Sequence, residues 1–159
     1  MDKKLPMTPA VRILLGEKIK FEACFYDYEE RGGTAVSSRE LGVSEHAVIK
    51  TLIMQDETKK PMIVLMHGDR EVSTKQLARE LGVKTITPCD PTTADRHSGY
   101  QVGGTSPFAT RKQMPVYMQK TIAELETIYI NGGKRGFLVK IAAADVVRVL
   151  KPALLEIMA

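Results

Sequence analysis

The chain has 159 residues, 43% hydrophobic and 26% charged, with a formal net charge of +4. Such a composition fits one soluble globular domain with a single substantial core, and no run approaches the ~18 apolar residues of a membrane span. The 6% of aromatic residues and the lack of tryptophan argue against an extended base-stacking platform, so any nucleic acid is expected to be held mainly through its backbone or at one end.

The start at Met1–Pro6 lacks the apolar stretch of a secretory leader. Thr8-Pro9 predicts a helix start, with Thr8 as N-cap and Pro9 in the first turn. Phe21–Tyr28, with aromatic residues at 21, 25, 26 and 28, reads as a strand. Ser37-Ser38-Arg39-Glu40 fits a capping box, and Gly42 closes that short helix. A turn at Ser44–His46 leads into Val48–Met54, an apolar, β-branched run typical of a strand buried on both faces. Pro61–Met66 is a second apolar strand, turned by His67–Asp69.

Ser73 caps a helix ending at Leu81 and Gly82, followed by a short strand at Val83–Ile86. Asp90-Pro91 opens another helix, which runs into a glycine-rich loop at Ser98–Pro107. Val116–Met118 reads as a strand and Thr121–Leu125 as a helical turn. Thr127–Ile130 and Gly136–Ile141 form a hairpin around Asn131-Gly132-Gly133. A last helix spans Ala143–Leu150, stopped before Pro152. Arg39–Val43 repeats as Arg79–Val83, which reads as two similar helix ends rather than a duplication. Hairpins mixed with crossovers predict a single α+β (mixed α/β) domain over residues 1–159, with a curled, barrel-like mixed sheet and flanking helices.

Lys50 interrupts the apolar strand, where a charge facing a dry core is costly. Either it snorkels to water, or its ammonium enters a cleft and holds a phosphate, a carbonyl or an oxyanion. Alternation turns Thr51 to the opposite face, which suits packing more than catalysis. The loop's glycines permit positive φ and close approach, and consecutive amides there can bind anionic oxygen; a plain tight connection is the alternative. His46, His67 and His97 have no metal-ligand spacing. Ser106 is not in a Gly-x-Ser-x-Gly elbow, and the loop lacks the P-loop ending. Cys24 and Cys89 form no CxxC pair, which suits a reducing compartment; Cys89, beside Asp90, reads as structural. The protein is expected in the cytoplasm.

Four motifs occur in order: Thr8-Pro9-Ala10, Val48-x-Lys50-Thr51-Leu52, Ser98-Gly99-Tyr100-x-Val102-Gly103-Gly104-x-Ser106-Pro107, and Ile128-Tyr129-x-x-Gly132-Gly133-Lys134-Arg135-Gly136. On them the chain resembles YbaK/EbsC-type aminoacyl-tRNA deacylases, which act on cysteine mischarged onto proline tRNA. More distantly it resembles the editing domain inserted in bacterial prolyl-tRNA synthetases. The resemblance implies Lys50 as the essential lysine and the Gly103 and Gly104 amides as carbonyl-oxygen donors. It places Tyr26, Thr51, Gly99, Tyr100, Ser106, Pro107, Asn131, Gly132 and Asp145 around the substrate. It also implies no metal or other cofactor, a mischarged tRNA acceptor end as ligand, and prolyl-tRNA synthetase as a possible partner. Asn131 stands where the family often carries serine, which opens the amino acid preference. Rival readings are a deacylase for alanine, serine or threonine on tRNA, and a non-catalytic module that binds the tRNA end.

Overall fold

The structure, a computed structural model, describes residues 4–159; the Met1–Lys3 start, expected to lack a leader, lies outside the described residues. Helix α1 (Pro9–Gly16) begins where the sequence predicts, with Thr8 Oγ1 accepting from the Val11 amide at 3.1 Å. Its spacing sends Ala10, Val11 and Leu14 into the core, all fully buried. The same hydroxyl donates to the Gly132 carbonyl at 2.5 Å, which fixes the start of α1 to a strand far along the chain.

Eight strands build one mixed sheet: β1 (Phe21–Phe25), β2 (Val48–Asp56), β3 (Pro61–His67), β4 (Ile86–Pro88), β5 (Val116–Gln119), β6 (Thr127–Lys134), β7 (Phe137–Ala142) and β8 (Ala153–Leu155). The order across the sheet is β1-β7-β6-β2-β3-β5-β8, with β4 also beside β2. The β2–β6, β3–β5 and β5–β8 pairs are parallel and the others antiparallel. The fold is therefore the expected mixed α/β arrangement, but β1 and β8 end the sheet without pairing to each other, so it does not close into a barrel.

Strand β2 is covered on both faces. Ile49 and Ile53 enter a large cluster with Leu14, Phe108 and Phe137, while Met54 and Leu52 pack with Val64 and Leu77 on the other side. Each fully buried side chain of this size contributes roughly 1.5–3 kcal/mol, so this strand anchors both halves of the core.

Helices α2 (Gly33–Leu41), α3 (Thr74–Leu81), α4 (Pro91–Ser98) and α5 (Ala143–Leu150) flank the sheet. The Leu-Gly-Val repeat is two similar helix ends, as expected. Gly42 and Gly82 adopt φ of 67° and 69°, and the next amides return to Ser38 and Ala78 carbonyls at 3.0 Å.

Several boundaries differ from the sequence expectation. Helix α2 starts at Gly33, so Ser37 and Ser38 are not caps; both are buried, with hydroxyls donating to the carbonyls of Thr34 and Ala35. Strand β1 stops at Phe25 rather than Tyr28, and β4 lies at Ile86–Pro88 rather than Val83–Ile86. The Asn131–Gly133 stretch is a bulge inside β6, and the chain reverses at Arg135-Gly136. Strand β8 has no counterpart in the sequence expectation.

One irregularity interrupts the pairing along β2. Strand β6 pairs with β2 only at Val48 and Ile49, and β4 pairs with it only from Met54 to Asp56. Between those pairings, the edge of β2 from Lys50 to Ile53 has no strand beside it.

Candidate active site

That gap opens into a cleft of about 760 Å³. Its walls are the loop after β1, α2, the edge of β2, the end of β4, the start of α4, the glycine loop and the β6–β7 turn. Of the candidate catalytic and substrate-binding residues read from the sequence, Tyr26, Lys50, Thr51, Gly103 and Asn131 line it.

Lys50 is held with its side chain 19% exposed, and Nζ donates to Glu71 Oε1 at 3.1 Å. Glu71 is 82% exposed, so an incoming anion can exchange for it with little loss of protein structure. Sequence reasoning missed Glu71, since nothing local ties it to β2. Tyr26 lines the same cleft, and burial pushes its phenol above the usual range. It stays neutral and can donate or accept.

The glycine loop divides into working and scaffolding parts. Gly104 donates its amide to the Gln101 carbonyl at 2.7 Å, closing a tight turn. The Val102 amide goes to Asp95 Oδ1 at 3.0 Å. Within Val102–Gly104, Gly103 alone keeps an N–H without a protein acceptor among the described residues. Its φ is +91°, and a Cβ there would lie 2.5 Å from the Tyr28 hydroxyl, so glycine is required on both counts. A Cβ on Gly104 would lie 2.7 Å from the Arg135 amide nitrogen. That glycine serves close packing on the β6–β7 turn, and in this conformation its amide is already taken and cannot serve as an oxyanion donor.

Asn131 accepts from the Gly133 and Lys134 amides at 2.7 and 3.2 Å and donates Nδ2 to the Gly103 carbonyl at 3.3 Å. Its amide is thereby engaged in holding Gly103. Arg135 does the same from the other side. Nε donates to the Val102 carbonyl at 2.8 Å, and the guanidinium sits 4.8 Å from the Tyr28 ring centroid.

The other expected contacts fall outside the cleft lining. Tyr100 is buried with its hydroxyl donating to the Phe108 carbonyl at 2.6 Å, and burial pushes it up to about 12. Ser106 is fully buried and accepts from the Phe108 amide; Pro107 is buried beside it. Gly99 caps α4 against Arg111, and Gly132 makes room for the Phe137 ring. Asp145 lies in the first turn of α5, paired with Arg148 at 3.5 Å. Helix α5 packs on β7 and the 3₁₀ turn at Lys120–Glu124, and Asp145 is not among the residues that line the cleft.

The charges around the opening are unevenly placed. Glu29, Glu30 and Arg31 line the α2 side. On the glycine-loop side, Arg135 and exposed Lys134 lie beside Gly104, and the Arg111 and Lys112 amides bond to the Ser98 and His97 carbonyls. No histidine lines the cleft. Cys89 does, but burial and the adjacent Asp90 raise its thiol above the usual range, so it is a poor nucleophile. Among the described residues no three His, Cys, Asp or Glu side chains gather as metal ligands, and no helix is long and apolar enough to cross a membrane.

Residues 30–149 match the family model described as the aminoacyl-tRNA editing domain. Over 136 residues, 85% of this chain and 83% of the other, the protein is 27% identical to EbsC of Enterococcus faecalis, named as a candidate Cys-tRNA(Pro)/Cys-tRNA(Cys) deacylase. Over 86 residues it is 27% identical to the proline–tRNA ligase of Brachyspira hyodysenteriae, covering 54% of this chain and 15% of that enzyme. In fold it is similar to a crystal structure described as a candidate trans-editing enzyme for prolyl tRNA synthetase, with a TM-score of 0.81 at 14% identity over 97% of this chain and 99% of the other.

Proposed function

The chain belongs to the aminoacyl-tRNA editing domain family, and from that premise we propose that it is a single trans-editing deacylase domain that releases cysteine from mischarged Cys-tRNA(Pro). The observation that carries this reading is the cleft at the β2 gap, which gathers Lys50, Tyr26 and the free Gly103 amide at one opening.

An aminoacyl ester is already activated, so its cleavage needs a nucleophile and a place for the developing oxyanion. For a cysteinyl ester the nucleophile is the substrate's own thiol. Sulfur attacks the carbonyl carbon, the bond from that carbon to the ribose oxygen breaks, and the thiol proton passes to the ribose oxygen. A cyclic thioester leaves and water opens it to cysteine. Tethering the thiol to the carbonyl removes the entropic cost of an encounter. A cleft lined by no histidine, and by a cysteine whose thiol is raised, supports a nucleophile carried by the substrate.

The Gly103 amide receives the oxyanion in this scheme, and such a donor is typically worth about 3 kcal/mol. Asn131 and Arg135 act through Gly103 as positioning residues, each holding one side of the loop. The Lys50 ammonium leaves Glu71 and takes a phosphate or ribose oxygen of the acceptor end. Proline tRNA and prolyl-tRNA synthetase belong to the same proposal, supported by the names of the relatives, and a cytoplasmic setting follows from that proposal alone.

The test is release of labelled amino acid from cysteinyl-, alanyl- and seryl-tRNA(Pro) by wild type and Lys50→Ala. Rapid loss of cysteine alone, abolished in the variant, is expected. Equal release of alanine or serine would replace the thiol with water or the ribose hydroxyl. Binding without any turnover would reduce the protein to a module that holds the tRNA end.

A further inference from the structure

Thr51 Oγ1 is the one buried side-chain oxygen or nitrogen among the described residues with no hydrogen-bond partner. A buried hydroxyl without a partner costs about 1–3 kcal/mol, so the fold tolerates a penalty here that a methyl in the same place would avoid. The residue stands in the middle of the unpaired stretch of β2, and part of it reaches the cleft.

The backbone of Thr51 faces the same way. Along a strand, the N–H and C=O of one residue point to one side, and those of its neighbours to the other. The Ile53 carbonyl accepts from the Cys89 amide on the β4 side, and the Val48 carbonyl accepts from the Gly68 amide on the β3 side. Residues 49, 51 and 53 therefore turn their peptide groups away from β3. Ile49 meets β6 and Ile53 meets Cys89, whereas Thr51 meets only the cleft.

Resting on the deacylase reading, we propose that Thr51 is the subsite for the aminoacyl group itself, pairing with it as a missing strand would. An aminoacyl ester carries the same N–Cα–C=O unit as a strand residue. Its carbonyl oxygen accepts from the Thr51 N–H and shares the Gly103 amide as a second donor when it becomes the oxyanion, and its α-ammonium donates to the Thr51 C=O. The hydroxyl, held by no bond, rotates about χ1 into the cleft and accepts a second ammonium hydrogen. Thr51 thus reads what all amino acids share, and discrimination between side chains falls to other walls of the cleft.

The experiment measures thermal unfolding, deacylation and binding of a non-hydrolysable 3′-aminoacylamino-3′-deoxyadenosine for wild type, Thr51→Val and Thr51→Ser. Valine keeps the shape and the strand preference while deleting the orphan oxygen. The valine variant is expected to melt at or above the wild-type temperature, yet to lose at least tenfold in kcat/KM and in analogue affinity, with serine restoring both. Acetylation of the analogue's amine should erase the difference between threonine and valine. Unchanged analogue affinity in the valine variant, or a fall in melting temperature that accounts for the lost activity, overturns the subsite. If wild type cleaves no aminoacyl-tRNA but binds the analogue through Thr51, the deacylase reading fails and the subsite stands. If wild type cleaves aminoacyl-tRNA but does not bind the analogue, the subsite fails and the deacylase reading stands; if it does neither, both fail.

Discussion

Lys50 and Gly104 show how differently two residues of one motif set can behave. The Lys50–Glu71 pair has one highly exposed partner, and such pairs contribute roughly 0–1 kcal/mol. Lys50→Ala is accordingly expected to unfold within a few degrees of wild type while losing at least a hundredfold in deacylation; a large drop in melting temperature would return the lysine to a structural role. Gly104 behaves in the opposite way. Its Cβ position is 2.7 Å from backbone, and overpacking of this kind costs about 1–3 kcal/mol. Gly104→Ala should therefore lower the urea midpoint together with activity, where loss of an oxyanion donor alone would leave the midpoint unchanged. Lys50 was legible in the sequence because a charge inside an apolar strand is conspicuous. The amide of Gly104 was not, because sequence shows that glycines cluster but not which N–H an adjacent carbonyl has taken.

At the scale of elements, local signals read well and remote pairings did not. The Thr8, Ser73 and Asp90 caps act over three residues, and each hydroxyl or carboxylate accepts the amide its position predicts. Thr8→Ala should cost about 1–2 kcal/mol in urea unfolding, at the upper end because the bond to Gly132 goes too. The start of α2 was missed because Ser37–Glu40 matches a capping box, whereas the helix begins at Gly33 with Val36 packed close over Gly32. The β2 gap depends on where β6 and β4 stop pairing, more than thirty residues away in each case. Buried His67 is a similar long-range joint: Nδ1 donates to the His46 carbonyl and Nε2 accepts from the Thr121 hydroxyl, both at 2.7 Å. Burial lowers its pKa below the ordinary 6.5, partly opposed by the bond to His46. The sign follows from linkage. The stabilisation is complete above the unfolded imidazole value and is lost as pH falls below it through the depressed folded value. His97, lowered by burial and by Lys112 and Arg96, acts in the same direction. The urea midpoint should fall between pH 7 and pH 5, with a shallower fall in His67→Gln; a flat wild-type midpoint would refute the neutral assignment.

For the whole molecule, a net charge of +4 says little until its placement is known. The cleft has Glu29 and Glu30, with Arg31, on one side; on the other it has Arg135 in its lining and Lys134 beside it, while Arg111 and Lys112 bond to the end of α4, where the glycine loop begins. Like charges repel the phosphate backbone on the first side, and counterion release favours it on the second. The acceptor stem should therefore arrive over the glycine loop, bringing the terminal ester past Gly103 toward the edge of β2. Arg111 and Lys112 are exposed and do not line the cleft, so their reversal should leave chemistry intact. Arg111→Glu with Lys112→Glu is expected to raise KM for whole tRNA at least tenfold with kcat unchanged at saturation. The dependence of log affinity on log salt should become shallower by ~0.7–0.9 for each phosphate that the variant no longer neutralises. A substrate reduced to aminoacyl-adenosine carries no stem and should be cleaved equally well by the variant. Glu29→Lys with Glu30→Lys supplies the opposite control, since it removes repulsion on a side the stem does not cross and should change KM by less than the first pair. A larger effect from the glutamates than from Arg111 and Lys112 would reverse the direction of approach and place the stem over α2.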